Sequence, residues 1–290
     1  MSAGDSPVWS ALWRGKGARI CLIVVGLYAL MALYGESVYQ WHVWHDTVPG
    51  YQAQDIGNRF QPPSTAHWMG TDALGRDVFA RLVQGARIAF RVGVVTSLIA
   101  LPIGVLLGAL AGYFGGRTDD FIVWLYSTFA AIPGLLFILT IAMIAGKGLL
   151  GVYLGIGLTM WVGVCRLIRG EVMKQRALPY VMAARVSGFS HARILFRHIL
   201  PNVAHVIIVA FTLRFPASIG TEVFMSFLGL GVQGEPSWGI MINNARLRLW
   251  QGVWWEMTFV TLAVLGLVLA FNLLGDALRD ALDPKLRDRR

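Results

Sequence analysis

Charge is scarce in this chain of 290 residues. Asp, Glu, Lys and Arg together make up 14% of it and apolar residues 56%, whereas soluble domains carry roughly 25% charged residues. So few charges cannot clothe a water-exposed surface, which makes this an integral membrane protein. Cysteine is scarcer still, with only Cys21 and Cys165, too few for a disulfide scaffold or a zinc site. Both fall near predicted cytoplasmic helix ends, where thiols stay reduced. Catalytic signatures are missing too. The pairs Gly15-Lys16 and Gly146-Lys147 lack the spacing and the Ser/Thr of a phosphate-binding loop, so ATP hydrolysis by this chain is not expected. There is no Gly-x-Ser-x-Gly, no His-Glu-x-x-His and no pair of intramembrane carboxylates to suggest a hydrolase or a proton relay. His42-x-x-His45 with Asp46 has metal-ligand spacing but no closed ligand set. It reads as an interfacial segment rich in Trp and His, and no metal is expected.

Long apolar runs are what the sequence does have. A helix needs about 20 mostly apolar residues to cross the hydrocarbon, and six stretches approach this: residues 20–34, 89–114, 121–145, 149–168, 203–230 and 254–274. An all-α protein with six transmembrane helices follows. The first run is short and follows Arg14, Lys16 and Arg19, as a signal peptide would. No convincing small-x-small cleavage site follows and further spans come after it, so an uncleaved anchor is expected.

The basic residues set the orientation, because Lys and Arg in short loops resist translocation. The formal charge of +9 would point to nucleic acid in a soluble chain; here it marks cytoplasmic loops, and no nucleic-acid partner is expected. With the N-terminus inside, sixteen Lys and Arg fall on cytoplasmic segments and seven outside. The chain then divides into a cytoplasmic segment (1–19), a first span (20–35), an extracytoplasmic loop (36–85) and a five-helix core (86–274). The core contains a basic inner loop (169–202), and a cytoplasmic tail follows (275–290). Trp9, Trp13, Trp41, Trp44, Trp124, Trp250, Trp254 and Trp255 fall near span ends, as interfacial anchors do.

Within the spans, Gly104, Gly108 and Gly112 put three absent side chains on one helix face, where another backbone can approach closely. Pro102, Pro133 and Pro216 interrupt spans two, three and five, as kinks or as breaks lining a cavity. Arg214 sits deep in span five, two residues before Pro216 and eight before Glu222. A charge at the bilayer centre costs on the order of 2.5 to 3.5 kcal/mol on insertion scales, so Arg214 must face protein or water. Pairing with Glu222 within the helix is too long, at about 12 Å along the axis. A structural partner on another span and a place on a translocation path both remain open, and Glu222 and Trp161 are further candidates for such a path.

The inner loop carries the most specific pattern. Its residues 180–197 read as two short helices broken at Gly188, and the loop ends at Pro201. A structureless connector of this length would be unusual, so a packed or docking role is expected. Small residues at Ala183 and Ala184 permit close helix contact, and Gly188 permits a sharp reversal. Tyr180-Val181-Met182-Ala183-Ala184-Arg185-Val186-Ser187-Gly188, followed by Arg197-His198-Ile199-Leu200-Pro201-Asn202, resembles the Ala-Ala, Gly, Leu-Pro signature of binding-protein-dependent ABC importer permeases. Met182 stands where that family usually has glutamate. His67-Trp68-Met69-Gly70-Thr71-Asp72-Ala73-Leu74-Gly75-Arg76-Asp77-Val78 with Gly85-Ala86-Arg87 resembles the outer segment of the C-type subunit of oligopeptide and dipeptide permeases. Ser226-Phe227-Leu228-Gly229-Leu230-Gly231 with Pro236-Ser237-Trp238-Gly239, and the end from Leu274 to Pro284, are similar to the same subunit.

The resemblance implies a type I ABC importer permease in the bacterial cytoplasmic membrane, with both termini cytoplasmic. It implies a homologous B-type permease as the other half of the pore, two ATPase subunits that bind ATP and magnesium, and an extracytoplasmic solute-binding protein delivering a peptide. Ala183, Ala184, Arg185, Gly188, His198 and Pro201 would meet the ATPases. Nickel, glutathione and peptide-antibiotic importers share this permease type. A membrane-embedded enzyme would need convergent nucleophiles or carboxylates, and Arg91, Arg214 and Glu222 are too few and scattered. A secondary transporter would need ion-coupling residues and usually internal repeats, and neither is found.

Overall fold

A computed structural model describes residues 15–282. Trp9, Trp13 and Arg14, and Lys285, Arg287, Arg289 and Arg290 of the expected basic tail, lie outside these residues, as do Asp283 and Pro284 of the C-terminal motif. The described chain is helical: α1 (Lys16–His45), α2 (Val78–Phe114), α3 (Gly116–Ala131), α4 (Gly134–Ala145), α5 (Leu149–Arg176), α6 (Pro179–Val186), α7 (His191–Phe227), α8 (Trp238–Arg246) and α9 (Trp255–Leu282). Five of these, α1, α2, α5, α7 and α9, are long and apolar enough to cross a membrane, and α3 with α4 form a bent pair that supplies a sixth crossing if it counts as one.

Several boundaries depart from those expected. Helix α1 does not stop near residue 34 but continues to His45, because Glu36 is no loop marker. Its carboxylate accepts from Arg91 at 2.8 Å and from Gln40 at 2.7 Å. Helix α2 likewise begins at Val78, eleven residues before the expected start at 89, with Asp77 capping it by accepting from the Ala80 N–H at 2.8 Å. The third span is not one helix. The residue before a proline is driven into the extended region; Ile132 adopts φ −82°, ψ 131° before Pro133, and α3 and α4 meet at 88°. Pro102 and Pro216 lie inside continuous helices. The second inner-loop helix is not a separate short helix either. It runs on into the fifth span as the single helix α7, through a π-helical turn at Ile194–Ile199. That turn lies just before Pro201, whose missing N–H interrupts the ordinary ladder in any case.

The glycine face of α2 packs within the chain, against α5. A Cβ at Gly104 would lie 2.6 Å from Val164 Cβ and 2.8 Å from the Trp161 carbonyl, and Gly108 and Gly112 meet the Cys165 and Arg169 carbonyls in the same way. One end of the bundle is closed by α6; loop 46–77, α8 and the ends of α1, α2, α7 and α9 form the opposite end. There Trp238 donates to the Leu82 carbonyl at 3.0 Å and Trp255 to the Thr71 carbonyl at 3.1 Å. Cys21 and Cys165 are free and buried.

Candidate functional site

Helix α6 starts at Pro179, where a missing N–H costs nothing, and ends in a reversal at Gly188, whose φ of +77° is the left-handed conformation glycine adopts without penalty. Its inner face carries Val181 and Ala184, buried in one cluster with Ala109 and Tyr113 of α2, Ile168 and Val172 of α5, and Ile194, Ile199 and Val203 of α7. Its outer face carries Met182, Ala183 and Val186, and Val186 is 89% exposed. The two alanines therefore divide their work: Ala184 packs inward and Ala183 leaves the outer face low.

Neighbouring side chains tie this turn down. The His191 ring nitrogen lies 2.9 Å from the Tyr113 hydroxyl, and the Arg185 guanidinium lies 5.5 Å from the Tyr113 ring centroid. Phe189 stacks on His198 with centroids 5.5 Å apart and planes 12° apart. Pro201 is exposed on α7. Ala183, Ala184, Arg185, Gly188 and His198 are thus brought together at one end, with Pro201 one turn further along.

The three residues expected on a translocation path are not brought together. Trp161 is 4% exposed and meets Phe129 edge to face at 5.4 Å, inside the bundle. Glu222 is 1% exposed and accepts from the Ser226 hydroxyl at 2.6 Å, in the packing of α7 against α8. Neither lines an open face of this chain. Arg214 is half-buried, has no carboxylate within salt-bridge distance among the described residues, and lies over Gly163 of α5.

At the opposite end the structure reveals a buried ionic cluster that sequence reasoning missed. Arg87, 1% exposed, pairs with Glu235, lies 4.0 Å from Glu36 and stacks on the Tyr39 ring at 3.8 Å. Asp72 pairs with Arg76 at 2.7 Å and with Arg81 at 3.5 Å. Tyr51 is buried beside this cluster, and burial raises the pKa of its phenol. A polar cavity of about 450 Å³ opens here between Gln52, Arg76, Arg81, Glu235 and Asn244. Spacing gave no hint of it, since Arg87 and Glu235 are far apart in sequence; the signal was the two motifs, Gly85-Ala86-Arg87 and Pro236-Ser237-Trp238-Gly239, that flank the pair.

The His42 ring nitrogen lies 2.6 Å from the Thr47 hydroxyl, and that of His45 lies 2.8 Å from the Trp41 carbonyl. Among the described residues no three His, Cys, Asp or Glu side chains converge on a common point.

Comparison with known proteins agrees with this architecture. Residues 104–288 match the family described as the binding-protein-dependent transport system inner membrane component. The dipeptide transport system permease protein DppC of Bacillus subtilis is 39% identical over 280 residues, covering 96% of this chain and 85% of that protein. The oligopeptide transport system permease protein OppC of the same organism is 37% identical, covering 99% and 95%. The glutathione transport system permease protein GsiD of Pectobacterium atrosepticum is 38% identical, covering 96% and 92%. In three dimensions the chain resembles one chain of the MetNI methionine ABC transporter in inward-facing conformations, with a TM-score of 0.55 at 17% identity over 70% of this chain and 97% of that one. The helical architecture, the matched family and these relatives lead to one conclusion: the chain belongs to the binding-protein-dependent transport system inner membrane components, as a multi-pass permease subunit of the ABC importer type in the bacterial inner membrane.

Proposed function

We propose that this chain forms one half of a heterodimeric pore that imports peptides, with a homologous B-type permease as the other half. Two ATPase subunits dock on the α6 end in the cytoplasm, and a solute-binding protein docks on the opposite, extracytoplasmic end. ATP and magnesium are held by the ATPases. The observation that carries this reading is the α6 turn. It offers Met182 and Val186 to a partner while its other face is cemented to α2, α5 and α7.

The mechanism follows from that construction. Closing of the ATPases pushes on α6, whose buried Val181 and Ala184 pass the displacement to three spans at once, because a close-packed core moves as a body. Helix α7 runs unbroken from His191 beside the turn to Phe227 at the far end, so a tilt at one end of this rod opens or closes the other.

Peptide is favoured as cargo by the dipeptide and oligopeptide relatives; the glutathione relative favours a small anionic peptide as a second reading. The test is uptake of labelled di- to pentapeptides by the complete importer in proteoliposomes. Uptake that requires both enclosed ATP and the external binding protein is expected. Transport of glutathione or nickel with no peptide uptake would overturn the peptide assignment.

A further inference from the structure

Arg214 occupies a place that a lipid-facing residue cannot. It lies 13 residues before Phe227, the end of α7, and Gly163 lies 14 residues after Leu149, the start of α5. At 1.5 Å per residue both helices put the pair about 20 Å from the extracytoplasmic ends, close to the middle of a hydrocarbon layer of about 30 Å. All three atoms nearest to a Cβ built at Gly163 belong to the Arg214 guanidinium, and the closest, Nη2, would overlap it. The missing side chain of Gly163 is therefore what lets the cation lie flat on α5.

The cation is also left without an opposite charge. No carboxylate lies within 4.0 Å of it among the described residues. Glu222 on the same helix is turned into the bundle and bonded to Ser226. Small residues follow on the same stretch of α7: Ala217 is exposed, and a Cβ at exposed Gly220 would meet nothing within 4 Å. An intramembrane arginine must face protein or a water-filled cavity, and this one has the small side chains of Ala217 and Gly220 following it on α7, both exposed on this chain.

We propose that Arg214, seated on Gly163, is a carboxylate-binding site midway along the translocation path, where it receives the free C-terminal carboxylate of the peptide in transit. This rests on the peptide reading above. The planar guanidinium presents donors matched to a carboxylate, and away from bulk water such a charge-assisted bond discriminates strongly against an uncharged amide. Release follows when the path opens to the cytoplasm and water replaces the contact.

The complete importer in proteoliposomes, energised by enclosed ATP, tests this with one peptide supplied as the free acid and as its C-terminal amide. The binding protein is the same for every variant, so a change in the acid-to-amide uptake ratio reports the permease. Arg214→Gln lowers that ratio about tenfold with the complex assembled at wild-type yield. Arg214→Lys keeps part of the preference, and Gly163→Ala, which retains the cation but dislodges it, lowers the ratio in the same direction. An unchanged ratio in Arg214→Gln, or poor assembly of that variant as when a structural partner's charge is left unpaired, overturns the proposal while wild-type peptide uptake leaves the peptide reading intact. Absence of peptide uptake by the wild-type importer overturns the peptide reading and with it the peptide carboxylate as ligand.

Discussion

Gly104, Gly108 and Gly112 set how closely α2 can approach α5, since each stands against a backbone carbonyl of the facing helix. Gly104→Ala would force the new Cβ to within 2.6 Å of Val164 and 2.8 Å of the Trp161 carbonyl, and overpacking of this kind costs about 1–3 kcal/mol. Gly26 in α1 has nothing within 4 Å, and Gly26→Ala should instead gain about 0.5–1 kcal/mol of helix stability. Thermal unfolding of the two variants in detergent, followed by tryptophan fluorescence, checks both signs; a destabilised Gly26→Ala beside a neutral Gly104→Ala would refute the packing account. The glycine repeat was legible because its period matches one helix face. Gly163 was not, because its role depends on the side chain of Arg214 on another helix. The burial of Glu222 and Trp161 was not legible for a related reason: a sequence shows that a side chain is polar or aromatic, while the neighbouring helices decide which way it faces.

Among the elements, the helical character and the approximate positions of the apolar spans were legible from run lengths, and their ends, the division of the third span and the short helix α8 were not. Glu36, Arg81 and Arg87 read as loop markers because an isolated charge in a span is costly. In the folded chain each has an opposite charge beside it, which lets α1 and α2 extend past them. This gives Arg87 a structural weight that Arg91 lacks. Arg87 is 1% exposed and joins α1, α2 and the loop before α8, whereas Arg91 is 33% exposed and among the described residues pairs with Glu36 alone. Breaking a buried pair by removing one partner costs about 3–5 kcal/mol, and an exposed pair about 0–1 kcal/mol. Arg87→Ala should therefore lower the unfolding temperature well below that of Arg91→Ala in the same assay, and equal effects would contradict the assigned burial. The break at Pro133, by contrast with the unbroken helices at Pro102 and Pro216, shows what a proline in a span does not disclose. The helix persists where neighbouring helices hold it, and turns where the preceding residue is free to adopt an extended conformation.

For the whole molecule, the basic-residue asymmetry of the sequence predicts that the α6 end faces the cytoplasm and loop 46–77 the outside. Ser64 and Ser190 are both exposed, at opposite ends. In a background lacking Cys21 and Cys165, Ser64→Cys should react with an impermeant thiol reagent in intact cells, and Ser190→Cys only after permeabilisation. The reverse pattern would invert the orientation. The α6 turn was readable as a motif, but its division into a buried face and an exposed face appeared only when α6 was seen seated on α2, α5 and α7. If, as proposed, this turn passes the work of ATP hydrolysis to the pore, a charge on its exposed face uncouples transport, and Val186→Asp supplies that charge. Val186 is 89% exposed, so the substitution leaves the permease fold intact while placing an unpaired charge in the docking contact, where a central apolar residue carries much of the affinity. In the reconstituted importer, ATP-driven uptake should fall about tenfold or more with the variant inserted in the membrane at wild-type level. Wild-type uptake by a correctly inserted Val186→Asp importer would contradict the account.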